Sequence, residues 1–177
     1  MKELLGFLIV LLSLGASAQT QTPATLRSIM LDQLRITHNE KNDWFVPEST
    51  AVEGLTAEQA SWKPAGGDHS VGQLANHLIY WNQINLARFN GEAHTEFSGD
   101  NNETFNSFDS KKWAETVRQL DQVMTDWEKA VEAADDKKLE ATALTIAHIG
   151  AHNAYHIGQM VVIRKLQGSW DPEKGVK

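Results

Sequence analysis

The chain has 177 residues, a formal net charge of -7 and no cysteine. Without a long basic stripe, that acidity excludes a nucleic-acid partner, because phosphate backbones are held by clustered Lys and Arg. The missing thiol excludes a disulfide framework, a cysteine nucleophile and a lipid-modified N-terminus.

Lys2, the apolar run 4–14 and the small residues Ala16, Ser17 and Ala18 read as an export signal cleaved after Ala18. The run is shorter than the roughly 20 apolar residues that span a bilayer, so it predicts no stable membrane anchor. The expected product is periplasmic or secreted, a single domain over residues 19–177.

Thr22 followed by Pro23 reads as the start of helix one, in which Leu26, Ile29, Met30 and Leu34 recur at helical spacing to about residue 40. A connector through Trp44, Phe45 and Pro47 leads to Thr56 and Gln59, a capping box for a short helical turn, before Pro64, Gly66 and Gly67 break the chain. Ser70 and Gln73 form a second capping box and open helix two, which places Leu74, His77, Leu78, Trp81 and Ile84 on one face. Residues 91–106 read as a loop. Asp109 or Ser110 caps helix three, where Trp113, Val117, Leu120, Met124, Trp127 and Val131 follow the four-and-three rhythm of a bundle seam. From about residue 141 helix four is apolar almost all round, which predicts burial, and Gly168 is placed to end it. Arg164 and Lys165 read as cations that complement the dipole of its last turn. Period-two alternation is absent. The expected fold is all-α: a four-helix bundle with long antiparallel helices and a short extra turn between helices one and two.

His148, His152 and His156 repeat every four residues on helix four. Two successive imidazoles at that spacing can chelate one ion, but three cannot, since the outer two stand about 12 Å apart along the axis. Spacing alone leaves both pairs open. His77, on the apolar face of helix two, supplies the third ligand, because an imidazole without a partner is costly to bury. Three neutral imidazoles suit a divalent ion, zinc first, with Ni, Fe or Mn as alternatives, and leave a coordination position for water or substrate. His38, His69 and His94 fall at element ends or in loops and read as surface residues. No Glu-x-x-His and no zinc-protease glutamate is present, so the catalytic residues stay unassigned.

The tracts 69–77, with His69, Ser70, Gln73 and His77, and 152–159, with His152, His156, Gly158 and Gln159, resemble the DinB-like superfamily. So does the linker with Trp44, Pro47, Thr56, Gln59, Trp62 and Pro64, and the likeness covers nearly all of the mature chain. The resemblance implies a four-helix bundle, often a homodimer, whose metal is held by His77, His152 and His156. It leaves His148 beside the ligands as a pocket or supporting residue. Gln159, Asn76 and Asn82 are candidates to orient the ligands, and Trp81 and Tyr155 to wall a pocket. The activities that the resemblance implies are metal-dependent hydrolysis or thiol-dependent S-transfer on a small molecule. Export opposes the thiol-dependent branch, because exported compartments are oxidising. Two other readings stand beside it, a metal- or ligand-binding bundle without turnover and a haem bundle that pairs His77 with a helix-four histidine.

Overall fold

A computed structural model describes residues 23–175 except 43, 68, 95 and 96. The expected export signal and Thr22, the expected helix start, lie outside the described residues. Among the described residues seven α-helices form: α1 Leu26–His38, α2 Glu48–Val52, α3 Ala57–Ser61, α4 Val71–Asn90, α5 Glu103–Asn106, α6 Trp113–Ala133 and α7 Asp136–Gln167. No strand occurs among the described residues.

Local hydrogen bonds decide the boundaries. α1 starts later than Pro23, because Thr25 and Ser28 exchange a capping box. The boxes at Thr56/Gln59 and Ser70/Gln73 close as expected, and α4 and α7 end on Gly91 and Gly168 in the left-handed conformation. Asp109 caps a 3-10 turn over Ser110–Lys112, so α6 begins only at Trp113. Helix four starts five residues before the expected position, because the Asp135 carboxylate accepts from the Lys138 amide. α2 and α5 lie in stretches that read as connector and loop.

The long helices stand around a square in the order α1, α6, α4, α7. α1 runs antiparallel to α6: Arg27 near its start donates to the Val131 carbonyl (2.8 Å), and His38 at its end meets Asp121 and Glu128. α4 runs antiparallel to α7, as the pairs His77–His156 and Asn82–Asn153 require. Two apolar clusters form the core, one around Leu74, Leu78, Leu120 and Ile157, the other around Leu34, Met124, Trp127 and Ile146. Between them Asn82 donates to Asn153 Oδ1 (2.8 Å) and accepts from the Trp127 indole at its carbonyl (3.2 Å). That buried amide pair sets the register of α4 on α7. Asn82 therefore belongs to the core and orients no candidate ligand.

Three expectations need correction. α7 is not buried all round: Leu144 (76% exposed), Tyr155 (63%), Val162 (55%) and Leu166 (63%) form an outer face. His38 is 2% exposed, and its two ring nitrogens lie 2.7 Å from Glu128 and 3.0 Å from Asp121, pinning α1 to α6. Helix end in sequence was helix interior in space, because α6 is longer than α1 and covers its terminus. Arg164 is buried and donates to the Thr50, Ala51 and Ser169 carbonyls, so it closes the end of α2 against α7.

Candidate metal centre

The antiparallel register of α4 and α7 brings His77 against His152 and His156. His152 Nε2 lies 3.1 Å from His77 Nε2 and 3.1 Å from His156 Nε2. One ligating nitrogen from each of the three lies within 4.8 Å of the others, the only such cluster of ligating groups among the described residues. Two nitrogens each about 2.05 Å from one tetrahedral ion stand about 3.3 Å apart, so the spacing suits zinc-like coordination. His148, one turn earlier, is exposed and stays outside the cluster, which selects the lower of the two pairs on α7.

Tautomers point the same way. His77 Nδ1 lies 2.6 Å from the Thr104 hydroxyl, which itself donates to the Asn101 carbonyl (2.7 Å), so the ring nitrogen is the donor. His156 Nδ1 lies 2.7 Å from Gln159 Oε1, again with the ring donating, and the Gln159 amide donates in turn to the Tyr155 hydroxyl (3.3 Å). In the neutral rings both Nε2 atoms then carry a lone pair, and His152 Nε2 can donate to only one of them. A lone pair facing a lone pair is relieved by a cation, and this is the fit expected of a metal site.

Burial keeps the rings neutral. It lowers His77 to about 3, with His156, His152 and His69 adding to the effect. It lowers His156 to about 4 against the opposing bond from Gln159, and it lowers His152 as well. Neutral imidazole is the ligating form.

The short helix α5 supplies the other wall. Its Phe105 ring is sandwiched between His69 (3.8 Å between centroids, 6° between planes) and His77 (3.9 Å, 7°). Asn76 on α4 holds this segment by donating to the Thr104 carbonyl (2.6 Å) and to Ser107 Oγ (2.7 Å), while Trp81 donates to Asn101 Oδ1 (3.1 Å). Thr104 and Phe105 had no place in the sequence reading, and His69, expected at the surface, is partly buried because it stacks on Phe105. The only signal was the density of turn-forming and capping residues over 100–107, with Asp100, Asn101, Asn102 and Ser107 beside Thr104.

A cavity of about 510 Å³ opens over the cluster, lined by Trp81, Asn85, Asn101, Thr145 and His148 besides the three histidines. It contains no Asp, Glu, Lys or Arg, so its polar lining is amide, hydroxyl, indole and imidazole. Tyr155 stands outside it, edge-on to His156 (4.9 Å between centroids).

Comparison with known proteins adds the family. A family model described as DinB superfamily matches residues 49–162. No curated protein and no solved structure matches the chain.

Proposed function

As the chain belongs to the DinB superfamily, we propose that it is a metal-dependent protein acting on a small molecule, its divalent ion held by His77, His152 and His156. The observation that carries this reading is the convergence of three imidazole nitrogens, two of them left with a free lone pair because Thr104 and Gln159 hold the ring proton on Nδ1. Zinc is the first choice for three neutral nitrogens, with Ni, Fe or Mn behind it. Such an ion supplies Lewis-acid activation of a polar group on the substrate. The chain's own residues do the rest: Trp81 and Phe105 shape the wall, Asn85 and Asn101 offer hydrogen bonds, and His148 is the one other titratable side chain in the cavity. A cavity with no fixed charge of its own suits an uncharged, hydrogen-bonding substrate.

A second reading is a metal-binding bundle without turnover, favoured by the lack of any carboxylate in the cavity to serve as general base.

The signal-like segment 1–18 supports export, which would put the protein in an oxidising compartment. A homodimer is supported by the outer face of α7. Leu144, His148, Ala151, Tyr155, Gly158 and Val162 recur there in a four-and-three rhythm, with no Asp, Glu, Lys or Arg between Glu140 and Arg164. A two-fold axis near residue 153 packs Leu144 on Val162 of the partner subunit and Ala151 under Tyr155 of the partner subunit, large against small.

Elemental mass spectrometry on the untagged chain and on His77→Ala and His152→Ala tests the site. About one equivalent of metal in the wild type, lost in both variants, supports the reading. A wild type that takes up no Zn, Ni, Mn or Fe overturns it.

A further inference from the structure

A second cavity, of about 540 Å³, lies between α2 and α6 and shares no lining residue with the histidine pocket. Val52, Leu55, Trp113 and Val117 give it apolar walls, and its charged lining is Glu48, Glu53 and Asp121 with the single cation Arg118. Glu48 is 1% exposed, and its Oε2 has no hydrogen-bond partner among the described residues. A buried carboxyl without a donor is costly, and native structures retain few of them. Burial, with Asp121 nearby, pushes its pKa up to about 8.

The cations around the groove are engaged elsewhere. Arg118 pairs with Glu115, and Lys174 bonds Glu53 (2.6 Å). His38 meets Asp121 through Oδ1 and turns its other nitrogen to Glu128. Glu48 thus borders the groove with no ion pair to a cation of the chain among the described residues, since the lining Arg118 is turned to Glu115. A divalent metal is a poor fit, since the lining acids do not converge as a group of three ligands among the described residues, and an anion would meet the carboxyls of Glu48 and Asp121. What fits is a compact donor-only cation attached to an apolar body, because an ammonium presents three N–H donors and no acceptor.

We propose that this groove binds a primary ammonium carried on an apolar chain or ring, the ammonium bridging Glu48 and Asp121 and the apolar part lying along Val52, Trp113 and Val117. Glu48 gives the site its selectivity, since an ammonium displaces its carboxyl proton to solvent and then supplies the donor and the positive charge that the buried carboxylate needs. The site is independent of the histidine cluster.

Isothermal titration of the full purified chain with hexylamine and with phenethylamine tests this, using hexanol and hexanoate as controls of matched length. Both amines bind at least tenfold more tightly than the controls, Glu48→Gln and Asp121→Asn each weaken them by tenfold or more, and His152→Ala leaves them unchanged. Val117→Trp, which keeps both acids and fills the groove, also abolishes binding. Absence of amine binding to the wild type overturns the proposal, and so does equal binding by wild type and both acid variants.

Discussion

The Thr104 hydroxyl lies 2.6 Å from His77 Nδ1 and so connects a four-residue helix, α5, to the middle of α4. Through this one bond a segment that looks like plain loop decides which nitrogen of His77 faces His152. Thr104→Val keeps the shape and removes the acceptor. We expect metal affinity to fall about 10- to 100-fold, the usual effect of losing a partner that orients a ligand. Competition against a chromophoric chelator measures it, and an unchanged affinity would show that His77 needs no such support.

The candidate ligands also give acid sensitivity a definite sign. His156 titrates near 4 in the folded chain against an ordinary 6.5, so folding favours its neutral form. Its contribution is full above about pH 6.5 and is lost as pH falls toward 4. For the metal-free proteins, the Tm difference between wild type and His156→Gln should be constant above pH 6.5 and move in favour of the variant below it. A difference that ignores pH would mean that the ring is not buried as described.

Glu48 runs the other way. Its folded pKa of about 8 exceeds the ordinary 4.5, so stability is full below about pH 4.5 and is lost as pH rises toward 8, by up to about 1.4 kcal/mol per pH unit. Glu48→Gln removes that loss. The variant should melt above wild type at pH 8 and near it at pH 4.5, and a lower Tm at pH 8 would contradict the burial of a neutral acid.

The absence of cysteine makes the α7 face open to a direct test. Leu144→Cys combined with Val162→Cys should form intermolecular disulfides under mild oxidation, since the proposed two-fold axis near residue 153 would set these positions opposite each other. Each single variant should give far less dimer on a non-reducing gel. Crosslinking that is equal in all three would point to another arrangement, and a monomer by light scattering would remove the dimer.

Much of this protein was legible in its sequence because the deciding bonds are local. Thr56 with Gln59 and Ser70 with Gln73 close their capping boxes within four residues, and Gly91 and Gly168 stop helices through their own backbone freedom. The histidines at positions 152 and 156 share a face for the same reason: helical period alone sets it. Tertiary structure decided what depends on distant segments. Spacing cannot choose between the pairs 148/152 and 152/156, and the choice falls to the register of α4, which the buried Asn82–Asn153 pair sets. Likewise Thr104 reaches His77 across 27 positions and His38 reaches Glu128 across 90. No periodicity encodes such a contact, because it exists only once packing has brought two segments distant in the chain to a common depth.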